Sequence, residues 1–398
     1  MIRSCLLVNT PVPLKDNKSC ISTLSSSVSR SASNHWYSWV DSMKGIGILF
    51  VVMGHTCTYA PLFRWIYSFH MALFFIISGL LFHPKPFVQT VKRKAFRLLV
   101  PYAFFATITF LYWALIERRL RHGNQSVLNA FCNLFIARAG SDNYPQNAVL
   151  WFLPCLFITE VLFSALYQGI HFLSRNAKNS SIIQRLMFVI IAAVCLVLGY
   201  TLGLCVTSRG IRLLWALDIV PFSLTFVIIG YLAHPLLELC NSIWQHSKIG
   251  ARLGLVVLGL VVFKALWMFD WITGLEVNFN DASVSNPVEM LVASLIGFIA
   301  VAVLCIGADN SVLRHLGSAS LTIMCMHEPI KRVFIELMGR ALGLETSALR
   351  SNIFMCLLIV AVTVIICLAG HALFERFAPI LIGKRALHRE AAIARHRR

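Results

Sequence analysis

The sequence predicts an all-α polytopic membrane protein with about ten transmembrane helices and both termini cytoplasmic. Three observations carry this expectation. Hydrophobic residues make up 58% of the 398 positions and charged residues 13%, whereas soluble domains hold about 25% charged residues. The apolar residues fall in blocks of roughly 18–23, the length that crosses a bilayer as a helix. Lys and Arg concentrate in particular links and in the tails, which accounts for the net charge of +18 better than a nucleic-acid partner does.

Residues 1–34 are polar and serine-rich and lack the long apolar core of a signal peptide. The division expected is a flexible cytoplasmic tail over 1–35, a transmembrane domain over 36–380 and a basic cytoplasmic tail over 381–398. The first span, 37–57, is the least apolar because it carries Asp41, Lys44 and His55. The second, 64–82, holds His70 near its start and Ser78–Gly79 further in, small residues suited to close helix packing. The third, 96–116, follows a basic stretch and contains Pro101, which is expected to kink it. The fourth, 149–172, carries Glu160, with no basic residue within four positions. Spans at 186–206, 213–232, 252–271 and 289–307 are more uniformly apolar, with Asp218 a weaker polar candidate. The ninth, 316–337, contains His327 and Glu328, and the tenth, 353–375, ends at Glu375 and Arg376, which read as an interfacial anchor.

Orientation follows from the links. Lys85, Lys92, Arg93 and Lys94 precede the third span, Arg175, Lys178 and Arg185 the fifth, and six basic residues face Glu390 from Lys384 onward. The link at 270–288 has Asp270, Glu276 and Asp281 and no Lys or Arg. The first set is cytoplasmic and the acidic link outside. The 117–148 link disagrees, with Arg118, Arg119, Arg121 and Arg138 on the outer side. Within it Val127, Phe131, Leu134 and Phe135 share one helical face, as in a helix lying on the membrane surface. The twelve cysteines show no metal-ligand or redox spacing and read as small hydrophobes.

Charged and titratable groups inside a span are costly unless they face protein or water, so each is a functional candidate. Lys44 and His55 are eleven residues apart, about three turns or ~16 Å along nearly one face. They can line one polar passage, or be a snorkelling lysine and a histidine bonded to a neighbouring helix. His70 suits a ligand-facing or a packing role equally. Lys94 and Arg97 stand one turn apart with Arg93 beside them, either a phosphate clamp or a cytoplasmic anchor. Glu160 needs a partner from another helix or a proton.

The segments "DSMKGIGILFVVMGHT", "IYSFHMALFFIISGLLF", "KRKAFRLLVPY", "AVLWFLPCLFITEVLF" and "LTIMCMHEPI" together resemble the acyltransferase-3 family of integral membrane acyltransferases. Within it the chain looks most like the O-acetylases of bacterial surface polysaccharides, including the fucose O-acetylase-like group. The resemblance covers roughly residues 36–380. The family's basic residue, ten arbitrary residues and histidine fall on Lys44 and His55. Its Arg-x-x-Arg pair falls on Lys94 and Arg97, a departure that weakens bidentate phosphate binding at 94 but keeps the charge. The resemblance implies an acyltransferase of the bacterial cytoplasmic (inner) membrane, with acetyl-CoA or another acyl-CoA as donor substrate and no permanently bound cofactor. The acceptor would be a surface polysaccharide or lipid-linked sugar, with membrane lipid as surroundings. It implies His55 as general base, Lys44 steering the donor or stabilising developing charge, Glu160 and His70 orienting base or acceptor, and Arg93, Lys94 and Arg97 on the phosphates of CoA. The rival reading is a transporter or flippase of a lipid-linked glycan, with the buried His and Glu as proton relays.

Overall fold

The computed structural model describes residues 37–120, 126–138 and 147–384. The tail over 1–35 and residues 385–398 of the carboxy-terminal tail lie outside the described residues. The architecture is all-α and polytopic. Eight helical stretches among the described residues are long and apolar enough to cross a membrane. Helices α1 (Ser38–Thr56) and α12 (Ser311–Leu342), also read as spans from the sequence, are outside that set. They are the polar members, α1 with Asp41, Lys44 and His55, α12 with His327, Glu328, Lys331 and Arg332.

The second expected span is bent rather than straight. It consists of α2 (Ala60–Tyr67), begun by Pro61, and α3 (His70–Leu80), with Ser68 and Phe69 between them. The third is longer than expected: helix α4 runs over Phe87–Leu120, so the basic run Lys92–Lys94 stands within a helix and not in a link. Two π-helical segments interrupt it, Ala95–Leu99 and Trp113–Glu117. The first lies just before Pro101, whose missing N–H disrupts the regular i→i−4 pattern. The surface helix expected in the next link is α5 (Val127–Ile136), capped by the Ser126 hydroxyl, which accepts from the Asn129 N–H. It packs on α4 through Ala130 and Leu134 against Phe110 and Trp113, leaving Leu128 and Phe135 exposed.

Next come α6 (Ala148–Ser174), α7 (Ser180–Arg209), α8 (Val220–Leu232), α9 (Leu236–His246) and α10 (Ile249–Thr273). A small antiparallel hairpin, β1 (Val277–Asn278) with β2 (Ser283–Val284), then leads to α11 (Pro287–Ala308). After α12, the short α13 (Thr346–Ser351) precedes α14 (Ile353–Phe377). Asn286, Asn310 and Asn352 cap α11, α12 and α14 by accepting backbone N–H bonds. Leu, Val and Ile side chains such as Val194, Val197, Leu253 and Val257 cover the outward faces of α7 and α10, as a surface meeting lipid requires.

α1 packs against α12, α11 and α14. Two glycines set its distance from α12. A Cβ on Gly45 would run into the Leu313 carbonyl, and one on Gly317 into the Asp41 carbonyl. α3 and α8 meet in the same way through Gly79 and Gly230. Gly317→Ala is therefore expected to destabilise the protein by about 1–3 kcal/mol, read as a lower thermal midpoint of purified protein. Gly169→Ala, whose Cβ meets nothing within 4 Å, serves as the control. Equal midpoints for the two variants would show that α1 and α12 are not in backbone contact.

Candidate active site

The site is built at the C-terminal end of α1. A helix ends with unsatisfied carbonyls and partial negative charge, and here cations meet them. Lys331 Nζ donates to the His55 carbonyl at 2.8 Å, Arg350 Nε to the Thr56 carbonyl at 2.9 Å and Arg350 Nη2 to the His55 carbonyl at 3.3 Å. These bonds hold the backbone that carries the half-buried His55 ring.

α12 is shaped for this by Pro329. Proline has no N–H for the Cys325 carbonyl four residues earlier, and the buried Asn147 side chain takes its place, Nδ2 donating at 2.8 Å. The start of α6 is thereby pinned to α12 at its proline, and Ala148 and Val149 become cavity wall. The same stretch of α12 places Glu328, Lys331 and Arg332 at i, i+3 and i+4. Glu328 binds Lys331 at 2.7 Å and Arg332 at 3.2 Å, while Arg332 reaches the buried Glu117 of α4 at 2.9 Å. His327 stands 5.5 Å from His55, ring centre to ring centre.

A cavity of about 700 Å³ opens over this network, lined by His55, Tyr67, Glu328, Lys331, Arg332 and Arg350, with Asn278 and Asn280 of the hairpin at its rim. The hairpin is held from below. Asp218, fully buried, pairs with Arg212 at 2.5 Å, and Arg212 donates to the carbonyls of Asn280 and Phe279. A second, narrow and mainly apolar pocket adjoins the first at His55 and Tyr67, lined further by Val51, His70, Phe74, Phe152 and Met324. His55 thus belongs to both. The Tyr67 hydroxyl lies 3.4 Å from its Nδ1. His70 and His327 present their Nδ1 to the carbonyls of Ile66 at 2.8 Å and Ile323 at 3.0 Å. A carbonyl only accepts, so each carries its proton on Nδ1 and a lone pair on Nε2.

The other expected residues sit apart. Lys44 pairs with Asp41 at 2.9 Å, three turns down α1, and lines neither cavity at His55. Glu160 accepts from Lys94 and from the Ser78 hydroxyl, so the partner that its sequence neighbourhood lacked comes from α4. Lys94, Arg93 and Arg97 form a patch with Lys85 in the link before α4. The Lys85 ammonium pKa is held below the ordinary lysine value, first by the Arg93 charge, then by burial, then by Arg97 and Lys94. His55 and His70 therefore come together at one end, and Lys94, Arg97, Arg93 and Glu160 gather elsewhere. Among the described residues no group of three or more His, Cys, Asp or Glu could hold a metal ion.

Among the residues of the site missed from the sequence are Tyr67, Glu117, Lys331, Arg332 and Arg350. The spacing in "HEPIKR" (327–332) announces the Glu328 ion pairs. For Glu117 and Arg350, brought in from distant positions, there was no signal.

The acyltransferase domain family matches residues 37–371, a stretch that holds both the His55 cavities and the basic patch. The chain belongs to the acyltransferase-3 family. It is similar to nodulation protein NolL of Mesorhizobium japonicum, 39% identical over 90 residues, covering 19% of this chain and 23% of that protein. It is also similar to nodulation protein NolL of Sinorhizobium fredii, 30% identical over 179 residues, 40% of this chain and 44% of the relative. The chain thus spans less than half the length of these curated relatives in each match. No solved structure matches. The polar stretches of α1 and α12 that meet at His55 lie within the matched residues.

Proposed function

We propose that the protein transfers acetyl from acetyl-CoA, or another acyl group from its CoA thioester, to a hydroxyl of a surface polysaccharide or its lipid-linked precursor. In this reading it does so across the bacterial cytoplasmic membrane. The observation that carries the reading is the position of His55, on the wall shared by a polar cavity and a narrow apolar pocket. The polar cavity is within the usual size range of ligand sites, and its amide and paired charged side chains suit a polyhydroxylated acceptor. The apolar pocket suits the acyl end of the donor.

In the step itself the acceptor oxygen attacks the thioester carbonyl. The C–O bond forms as the C–S bond breaks, and His55 Nε2 takes the hydroxyl proton and returns it to the departing CoA thiolate. This requires the His55 tautomer in which Nδ1–H donates to the Tyr67 oxygen. Charge asymmetry of the links supports a topology with the His55 end outside and the basic patch inside. There Arg93, Arg97 and Lys94 bind the CoA phosphates and Glu160 positions Lys94, while Lys44, paired with Asp41, stands toward the donor side of α1. The tails at 1–35 and 381–398 stay cytoplasmic.

The test is transfer of label from radioactive acetyl-CoA to added glycan in membrane vesicles carrying the protein. Wild type is expected to form an alkali-labile glycan ester. Arg97→Ala is expected to raise KM for the donor roughly tenfold, the value of one charge-assisted phosphate contact, with the acceptor KM unchanged. Unlabelled glycan, or a donor KM indifferent to Arg97, would overturn the assignment of acceptor or donor site respectively.

A further inference from the structure

Two cysteines meet directly behind the site. Cys57 follows the last residue of α1, and Cys356 lies in the first turn of α14. They are 2% and 1% exposed. The backbone N–H of Thr58 and the Cys356 thiol both donate to the carbonyl of Arg350, each at 3.0 Å. The two cysteine-bearing segments therefore meet at one carbonyl, and the Cys57 thiol is close enough to feel the Cys356 thiol electrostatically. Cys325 and Cys367, of α12 and α14, are also buried but lie deep within their helices.

We propose that Cys57 and Cys356 form a disulfide that staples the end of α1 to the start of α14 beneath Arg350. The proposal rests on the orientation given above, which puts the His55 end in the compartment where disulfides persist. Two thiols lose two protons and two electrons to the disulfide form of an external dithiol oxidant. One S–S bond forms and the oxidant leaves as its dithiol. Because both sulfurs are buried in the folded protein, the bond closes before α14 packs and is shielded from reductant afterwards. Its consequence is local. The Arg350 peptide is held between the two cysteine-bearing segments, while the Arg350 guanidinium holds the carbonyls of His55 and Thr56. The cross-link therefore fixes the backbone under the proposed base, and by closing a very long loop it constrains the unfolded chain.

The experiment is peptide mapping of protein denatured without reductant in the presence of excess alkylating agent and then digested. The expected result is a pair of peptides carrying Cys57 and Cys356, joined, two hydrogens lighter than the separate thiols, and released by reductant. Cys325 and Cys367 are expected to be found alkylated. Alkylated Cys57 and Cys356 in unreduced protein would overturn the proposal. Cys57→Ser, Cys356→Ser and the double variant provide a second reading. All three are expected to have the same thermal midpoint, below that of wild type. Additive losses would mean two independent packing defects and no bond. The mapping needs no activity. Free thiols in a protein that still acylates would remove the cross-link alone, and a cross-linked protein without transfer would leave the bond standing while the acyltransfer reading fell.

Discussion

His55→Ala is expected to lower acyl transfer by roughly 10²–10⁴-fold, the contribution of a well-placed general base, at unchanged abundance in the membrane. The expectation of a catalytic rather than a structural loss comes from what the ring touches. Its backbone carbonyl, not its side chain, is what Lys331 and Arg350 hold. The ring itself has the long contact to Tyr67 and otherwise faces the two cavities. Alanine keeps the helix end and its cationic partners and removes only the proton acceptor. The measurement is the O-acyl ester content of surface polysaccharide from cells lacking the gene, complemented by wild type or variant at matched membrane abundance. Restoration by His55→Ala to the wild-type level would make the histidine a packing residue and cancel the mechanism above.

Arg332→Ala is expected to act on the fold before it acts on chemistry. The guanidinium bridges Glu117 and Glu328, and the side chains of Arg332 and Glu117 are 18% and 6% exposed. Removing the cation leaves Glu117 with a buried charge that has lost an ion-pair partner, which costs about 3–5 kcal/mol. The variant should show a sharply lowered thermal midpoint in detergent and reduced abundance in the membrane. Adding Glu117→Gln to it should recover much of the loss, because the amide needs no counter-ion. An Arg332→Ala protein as stable as wild type would mean that the bridge between α4 and α12 holds nothing together.

Much of the fold was legible from composition and block length, and the reasons for the departures are specific. The second span bends because Ser68 and Phe69 stand between α2 and α3, with the Ser68 hydroxyl 2.9 Å from both the Trp65 carbonyl and a carboxylate oxygen of Asp270 on α10. Such a side-chain bond across more than two hundred positions leaves no trace in periodicity. The extension of α4 through its basic run, past a proline, follows from two π-helical segments that hydropathy does not register.

The sequence by itself determined that this is a helical membrane protein and marked Lys44, His55, His70, Glu160, His327 and Glu328 as costly polar groups within its spans. It also placed a histidine eleven residues from a lysine on one helix, because burying charge in lipid is expensive enough to make every such residue stand out. Only the tertiary structure decided which of these groups meet. Lys44 turns to Asp41, Glu160 takes Lys94, and His55 is joined by Tyr67, His70, His327 and the Glu328 network. Pairing among distant helices depends on where the glycines at 45 and 317 let backbones touch and where Pro329 opens α12 to Asn147. Those are properties of packed surfaces, and a one-dimensional pattern carries the residue types but not the approach of one surface to another.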